Sequence, residues 1–408
     1  MAPITVGSRA FHRVSLGVES THGTRVDPTF NLNMASSSII TLDKSPANPD
    51  EDYQSLVMNQ PGRGTFGVRL AGLQMDGVAR YQDLMRYCQH WWAGGVTPTG
   101  ATSKTISGNT AASPTVVTTT AAHGLVTGDT VLISGSNSTP LIDGTWTVTV
   151  LTTTTFSIPV NVTIAGTAGS VAAGADKWVF PLDASSDTLK SATIQEGDNV
   201  QAYEMTYGMI TDGHLSFNQL TAPGNMPWEL KTTWMGQDKV PTAFTGTPAT
   251  VTGAESLMGH LTRAYIDTTS VAFGSGTEEV GVLAMDFTIP SGVTPRKYGE
   301  TTDTLSTHGR LKRTPLLTIS FFLSSGSETD LFAAWQGNIG QMVERRLRLK
   351  AVGSGNNNAY IDSRIRFRTV PVQEFNGASI LAIDAECVGD SALGGSDLQL
   401  TLNNAIAS

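Results

Sequence analysis

The chain has 408 residues, of which 39% are hydrophobic and only 15% are charged, and its formal net charge at pH 7 is −9. Globular proteins carry about a quarter charged residues, so much of this surface must consist of Thr, Ser, Asn and Gly. Tight binding of nucleic acid requires a basic footprint, and an acidic chain of this kind lacks one overall. The length allows two or three domains, each with a core of its own.

The sequence predicts neither a targeting segment nor a functional role for its cysteines. The first nine residues lack the apolar core of a signal peptide, and no apolar run approaches the roughly 18 residues of a membrane-spanning helix. Cys88 and Cys387 lie far apart in apolar patterns, which predicts two buried thiols rather than a disulfide or a metal site. We therefore expect a soluble, β-rich protein of a reducing cytoplasm, with no cofactor, no metal and no membrane partner.

In chain order, the first half predicts two strands separated by a long polar loop, then a helix, then a pair of strands. The helix is favoured because its apolar residues fall on one stripe at helical spacing, with Asp76 as the N-cap. The predicted strands are 30–34, 65–70, 200–210 and 214–217, and the predicted helix is 77–92.

The sequence contains no enzyme motif in a suitable structural context. Residues 62–67 have the glycine spacing of a dinucleotide-binding loop, but such a loop must leave a strand and open a helix. Here the motif follows a polar loop and enters a strand, so the sequence predicts a turn. The seven histidines lack metal-site spacing, and no Gly-x-Ser-x-Gly elbow occurs. We expect no catalytic activity.

Residues 97–175, called the insert below, differ in composition from the rest of the chain. Their only formally charged residues are Lys104, Asp129 and Asp143. β-Branched residues in short alternating runs predict a small β-sandwich or barrel, with strands at 115–118, 130–133, 145–150 and 155–158. Gly- and Ala-rich joints flank the insert. We interpret it as a module carried on the outer surface of its host, without charge pairing to it.

The second half repeats the element order of the first. Strands at 282–289 and 316–322 flank a polar loop, a helix follows from about residue 328 with Ser327 as its N-cap, and a strand pair closes the half. That pair covers residues 364–372 and 380–388. The two halves share no close residue identity, so the predicted duplication concerns the pattern of elements only.

Basic residues cluster once, in two alternating runs. Arg346, Arg348 and Lys350 form the first run, and the second consists of Arg364, Arg366 and Arg368. At period two, each run places its charges on one face of a strand. A solvated sheet face, an interface ladder paired with carboxylates and a nucleic-acid groove are the three interpretations.

Carboxylates on a later strand offer candidate partners for the second run. If a hairpin near residues 375–377 has an odd-numbered loop or one bulge, Arg368 falls opposite Asp384, and Arg366 falls opposite Glu386. A strict two-residue turn would shift the register by one residue and send the charges to opposite faces. We expect these residues to fix register or an interface.

Several segments resemble one protein family. Residues 15–24, with Glu19, Thr21 and Gly23, are similar to the start of tail tube proteins of long-tailed, siphovirus-type bacteriophages. Residues 192–198, 207–210, 215–217 and 228–236 resemble the central strands of that family. The insert resembles small β modules that decorate phage structural proteins.

The resemblance implies a mainly β (α+β) fold with two tail-tube-type β-sandwich or barrel domains, each with one flanking helix, plus an inserted Ig-like β domain. The first tube domain would comprise 1–96 and 176–240, the inserted module 97–175, and the second tube domain 241–408. Two tube folds in one chain imply a ring of three subunits that mimics six. A single tube fold would imply six subunits.

As a major tail protein made in the host cytoplasm, the chain would assemble with itself into stacked rings of the virion. The resemblance also implies tape measure, tail terminator and tip proteins as neighbours, and DNA that passes through the lumen without specific binding. Two other classes stay open, a carbohydrate-binding adhesin and a capsid or decoration protein. Exposed aromatic platforms would favour the adhesin, yet the insert offers only Trp146 and Phe156, both in predicted strands.

Overall fold

The fold is mainly β. The computed structural model describes residues 12–32, 39–47, 65–93, 103–125, 127, 129–173, 176–182, 188–198, 200–220, 226–245, 248–249, 254–276, 278–279, 282–298, 304–322, 335, 344–354 and 357–404. One α-helix and 27 strands occur within this part of the chain. None of its helices is long and apolar enough to cross a membrane.

Outside the insert, the first half contains nine strands and the helix. They are β1 (Arg13–Val18), β2 (Phe30–Leu32), β3 (Ile40–Ala47), β4 (Thr65–Val78), α1 (Tyr81–Trp91), β12 (Asp176–Pro181), β13 (Ala192–Gly197), β14 (Ala202–Asn218), β15 (Glu229–Gly236) and β16 (Val240–Thr242), with β5–β11 in the insert between α1 and β12. In the insert the strands are β5 (Lys104–Asn109), β6 (Thr115–Thr119), β7 (Thr130–Ser134), β8 (Gly144–Thr147), β9 (Thr149–Val150), β10 (Thr155–Ile158) and β11 (Ser170–Ala173).

The second half contains the remaining strands. They are β17 (Thr262–Asp267), β18 (Glu278–Glu279), β19 (Val282–Pro290), β20 (Val293–Arg296), β21 (Thr307–Arg310), β22 (Leu316–Phe322), β23 (Glu344–Val352), β24 (Asn358–Thr369), β25 (Val372–Phe375), β26 (Ala378–Val388) and β27 (Leu398–Asn404). The helix predicted from residue 328, with its N-cap at Ser327, lies outside the described residues apart from Trp335.

Helix α1 begins later than predicted. The predicted N-cap Asp76 lies in β4, because residues 71–75 alternate between buried and more exposed positions, the burial pattern of a strand with one covered face. The helix begins after Arg80, and every residue but Gln89 is buried. The fold therefore buries nearly the whole surface of the helix, and not only the apolar stripe that predicted it.

The insert is a sheet of seven antiparallel strands in the order β8–β7–β11–β5–β6–β10–β9. All four predicted strands of the insert are present. The one predicted at 145–150 is divided at Val148 into β8 and β9. The insert has a hydrophobic cluster of its own around Val117, Val131 and Phe156. These side chains come from alternating positions of the Thr- and Val-rich runs, as the pattern predicts.

The pairing of strands is the same in the two halves. In the first half, antiparallel pairs run β2–β1–β13–β14 and continue from β14 to β15, β4 and β3. In the second half they run β18–β17–β23–β24 and continue from β24 to β26, β22 and β19. One further strand, β16 or β27, pairs with the beginning of β14 or β24. The two halves therefore share a topology, but it differs from the predicted pattern in two places. The equivalent of β19 is β3, which lies in the predicted polar loop, and not the strand predicted at 30–34. The pair predicted at 200–210 and 214–217 is the single strand β14.

The halves meet edge to edge. The second part of β14 pairs antiparallel with β19, from Asp212 opposite Pro290 to Asn218 opposite Ala284. This junction produces one continuous run of eight strands, β3–β4–β15–β14–β19–β22–β26–β24, called the central sheet below. Both halves contribute to one hydrophobic core beneath it.

The α-helix anchors the core at this junction. Trp91 lies over Gly213 of β14, where a Cβ atom would clash with the indole ring, and its Nε1 donates to the Ile289 carbonyl of β19 over 2.8 Å. One side chain of the first half thus contacts both strands of the junction. The predicted burial of Cys88 and Cys387 as free thiols is confirmed.

His90 of α1 predicts a loss of stability in acid. It is fully buried against Trp234, its Nδ1 hydrogen-bonds to the Lys190 carbonyl, and burial lowers its pKa to about 4. Because the ordinary pKa is about 6.5, the neutral ring favours the fold fully above that pH, and this contribution is lost as the pH falls through about 4. A shift of this size corresponds to roughly 3 kcal/mol.

We expect His90→Gln, which keeps a neutral donor for the Lys190 carbonyl, to lose less stability than the natural chain between pH 7 and pH 4.5. Urea unfolding at both pH values measures this difference. His260→Gln, at an exposed histidine, is the matched control and should follow the natural chain. An equal loss in the His90 variant and the natural chain would contradict the assignment.

Candidate assembly surface

The basic residues of β24 are placed by a turn and a bulge acting together. Asn376 and Gly377 form a two-residue turn between β25 and β26, both with positive φ. Such a turn alone would shift the register, but β24 is bulged between Phe367 and Thr369. The extra residue of the bulge compensates for the shift caused by the turn, so Arg366 lies opposite Glu386. The Arg366 Nη1 atom is 3.0 Å from Glu386 Oε1.

Arg368 and Asp384 differ from the prediction. Arg368 is the bulged residue, so Thr369 rather than Arg368 lies opposite Asp384. Within the described part of the chain, neither Arg368 nor Asp384 makes an ion pair. The reason is physical, because an extra residue in one strand leaves its own side chain without a cross-strand partner.

Glu344, at the beginning of β23, is the acceptor that sequence reasoning missed. Its carboxylate binds Arg364 through Nη2 and Arg366 through Nε and Nη2, the latter two over 3.0 and 2.8 Å. Burial raises the pKa of Glu344, but the hydrogen bonds from Arg366 and Arg364 outweigh it and hold the pKa below its usual value. Glu344 lies two residues before Arg346, so period-two spacing could have identified it.

The first basic run is paired too, and largely buried. Arg346 binds Asp390 with Nε–Oδ2 and Nη2–Oδ1 distances of 2.8 and 2.7 Å. Arg348 binds Asp362 in the same bidentate manner over 2.7 and 2.8 Å, and both side chains are buried. A bidentate carboxylate matches the guanidinium fork and fixes orientation. These side chains therefore bind together β23, β24 and the segment after β26.

Charge also connects the insert to its host, contrary to the sequence-based expectation. Asp129 of the insert lies 3.9 Å from Lys177 Nζ and accepts from Asn403 Nδ2 over 3.3 Å. Lys177 also donates to the Gly124 carbonyl of the insert. Burial lowers the pKa of Lys177, and the nearby Asp129 opposes that effect. One of the insert's three charges thus contacts the host.

Residues 15–24 are held by the buried carboxylate of Glu19. Glu19 accepts from the backbone N of Gly23, from Thr193 Oγ1 and from the backbone N of Tyr207, over 2.7, 2.9 and 3.0 Å. Tyr207 has a φ of 60°, unusual for a residue with a side chain. Glu19 therefore links the end of β1 to β13 and to the middle of β14.

Glu19 also meets Ser191 and His22, but in an order that does not suit nucleophilic catalysis. Ser191 Oγ donates to Glu19 Oε2, and His22 Nδ1 lies 2.9 Å from the same Oγ. In a catalytic triad the histidine lies between the serine and the acid, whereas here the serine is in the middle and fully buried. Elsewhere in the described ranges, no group of three or more His, Cys, Asp or Glu residues could hold a metal ion.

One face of the central sheet is uncovered and acidic. Asp212 and His214 of β14, Glu229 of β15 and Asp286 of β19 are exposed or half-buried, with Lys231 beside Glu229. His214 lies 3.6 Å from Asp212 and 3.7 Å from Asp286. The opposite face carries the core and α1, so the two faces of this sheet differ sharply in chemistry.

Two edges complete the surface. Among the described residues, β3 pairs only with β4, and β25 pairs only with β26. We call the sides away from these partners the β3 edge and the β25 edge. Each has an exposed aliphatic residue, Ile39 next to β3 and Val372 in β25, with 42% and 45% of their surfaces accessible. Unpaired strand edges with apolar residues favour association with another strand.

Comparisons of the sequence with protein-family models and with curated proteins returned no match.

The two acidic candidates of this surface should differ in importance. Glu344→Gln removes the shared acceptor of Arg364 and Arg366, and because these pairs are partly exposed we expect a loss of about 1 kcal/mol, smaller at high salt. Asp384→Asn, at the carboxylate without an ion pair among the described residues, is the matched control and should cost almost nothing. Urea unfolding at low and high salt measures both. A larger loss for Asp384→Asn would contradict this placement.

Proposed function

We propose that the chain is a structural subunit of a bacteriophage tail tube, which assembles with its own copies into stacked rings around a lumen for DNA. One observation carries the proposal: the chain contains the same strand pairing twice, and the two halves join edge to edge through β14 and β19. A fold that already adds one unit to the next inside a single chain can add further units between chains.

Closure follows from the need to pair edges. A run of strands with an unpaired edge at each end favours either indefinite association or a closed barrel, and closure removes both edges. If neighbouring copies meet as the two halves do, three copies contribute six similar units to a ring. Successive halves would then be related by about 60° around the ring axis.

The two faces of the central sheet support an orientation in such a ring. The core, α1 and the strands beneath them cover one face, so that face must lie on the outside of the barrel. The uncovered face, with Asp212, Glu229 and Asp286, then lines the lumen. A polar, acidic wall repels the phosphate backbone of DNA and so allows passage without binding.

Arg364 and Arg366 agree with this orientation, whereas the bulged Arg368 does not contribute to it. Arg364 and Arg366 are neutralised by Glu344 and Glu386, so they offer little unpaired positive charge to a phosphate backbone. The chain would act in the virion, beside the tape measure, terminator and tip proteins that the family resemblance implies. It would have no catalytic role. The insert would lie on the covered, outer side, oriented by Asp129.

Electron microscopy of the purified protein tests the proposal. In negative stain we expect rings or short tubes with a central hole, and light scattering of the smallest assembly should give the mass of three chains. Assembly should tolerate high salt, because backbone pairing and apolar burial depend on salt less than surface ion pairs do. Particles without a hole, or a chain that stays monomeric at high concentration, would contradict the proposal.

A further inference from the structure

We propose that the β3 edge of one copy pairs antiparallel with β25 and the end of β24 in the next copy, in the register of the internal β14–β19 junction. This inference rests on the proposed ring and names the surfaces that close it. The partner is a second copy of this chain.

Equivalent positions in the two halves follow from the pairing itself. Across the central sheet, Ile40, Leu73, Trp234 and Ile210 lie opposite one another in the first half. The second half has the corresponding row Phe287, Leu317, Ala385 and Phe367. All eight side chains are buried. Immediately after the last member of each row, β14 is bulged at residue 211 and β24 at residue 368.

The two bulges align the strands that form the junctions. Leu215 lies four residues after the bulge of β14, and Val372 lies four residues after the bulge of β24. At the internal junction, Leu215 is opposite Phe287. Because Phe287 corresponds to Ile40, the register places Val372 of one copy opposite Ile40 of the next. By the same rule, Gln373 falls opposite Ile39.

Leu215 and its equivalent Val372 differ in burial, as expected if the β25 edge has no partner strand within the single chain. Leu215 and Phe287 are completely buried where the halves meet. Val372, the equivalent of Leu215, leaves almost half of its surface exposed, whereas Ile40, the equivalent of Phe287, is already buried. Removing an exposed side chain from water is worth about 25 cal/mol for each Å² of apolar surface. Pairing of the two edges would therefore cover Val372, which the single chain leaves exposed at the β25 edge.

Backbone directions agree on the β25 edge. Ala382 N donates to the Pro371 carbonyl, so the backbone groups of Pro371 point toward β26. In an antiparallel ladder the groups of successive residues point to alternate sides, so those of Val370 and Val372 point to the β25 edge. Proline has no N–H to donate, and here that loss falls on the side already paired.

At the β3 edge, a backbone donor also points away from the paired strand, and a side chain binds it. Ile40 N does not donate to β4 but to Glu196 Oε2, over 3.1 Å. Its backbone therefore points toward the β3 edge, as the equivalence with Phe287 requires. Glu196 and Ile40 are both buried, so the Glu196 side chain covers this part of the β3 edge in the single chain. Glu196 thus occupies the donor that the next copy would use.

The two edges of one chain are far apart when counted along its sheet. The β3 edge and the β25 edge lie at opposite ends of the central sheet, separated by β4, β15, β14, β19, β22 and β26. At about 4.8 Å between neighbouring strands, this distance is roughly 30 Å measured along the sheet. In the proposed ring, a bond between the two edges joins different copies.

Cysteine cross-linking tests the register. The double variant Ile39→Cys, Gln373→Cys places thiols at a pair equivalent to Asp286 and Ser216, which lies between hydrogen-bonded pairs and suits a disulfide. The natural thiols Cys88 and Cys387 are buried. After assembly and mild oxidation, we expect covalent dimers and trimers on a non-reducing gel. The control Ile39→Cys, Glu374→Cys, whose second thiol points to the opposite face, should give at least tenfold less.

The outcomes separate this inference from the proposed function. Rings in the microscope without cross-links above the control would overturn the register and leave the proposed function standing. Natural protein that forms no rings and a variant that forms no cross-links would overturn both.

A second variant covers the case in which the cysteines prevent assembly. Val372→Asp changes a side chain that is already half exposed in the single chain, so the fold should persist, with unchanged circular dichroism. We expect it to abolish rings, because the new carboxylate would be buried against Ile40 of the next copy. Rings formed by Val372→Asp would overturn the inference.

Discussion

A strand at the edge of a sheet leaves backbone donors and acceptors that water, a side chain or another strand must satisfy. The architecture of this chain depends on how such edges are closed. Inside the chain, the edge of β14 is closed by β19, and the pairing makes one sheet out of two similar halves. Trp91 stabilises that contact by packing on β14 while it donates to the backbone of β19.

The same constraint explains the placement of charge. On the uncovered face of the central sheet, charged residues remain in contact with water, whereas the buried arginine of β23 has a carboxylate partner. Arg348 and Asp362 show the principle, since a buried guanidinium without a partner would be expensive. Charge therefore marks the surface that faces water, and the paired Arg364 and Arg366 lie on that same surface, beside Glu386.

Much of the fold was accessible from the sequence because strands and helices leave different periodicities. The alternating Thr and Val runs of the insert predicted four strand segments within one or two residues but missed β5 and β11. The repeated element order indicated the duplication, but it missed β3 and divided β14 into two strands. The beginning of α1 was harder. Asp76 is a good N-cap by composition, but the alternation of residues 71–75 continues β4 past it, so tertiary burial overrode local preference.

The assembly surface was predictable only in part. Spacing placed Arg366 and Glu386 on facing strands, yet no local signal located the bulge at residue 368, which decides the register and isolates Arg368 from Asp384. Glu344 was visible at period two, but its role depends on β23 lying beside β24, a contact between distant elements. The attachment of Asp129 to Lys177 could not follow from composition, because the insert and β12 meet only in three dimensions.

The central claim is that the two halves of one chain are equivalent units of a closed ring. Electron cryomicroscopy of the assembled protein, reconstructed with threefold symmetry imposed and with none, tests it most directly. The account predicts three chains in each ring, with the halves related by about 60° around the axis and the uncovered face of the central sheet toward the lumen. A ring of six chains, or one in which only one half of each chain contributes to the inner wall, would contradict it.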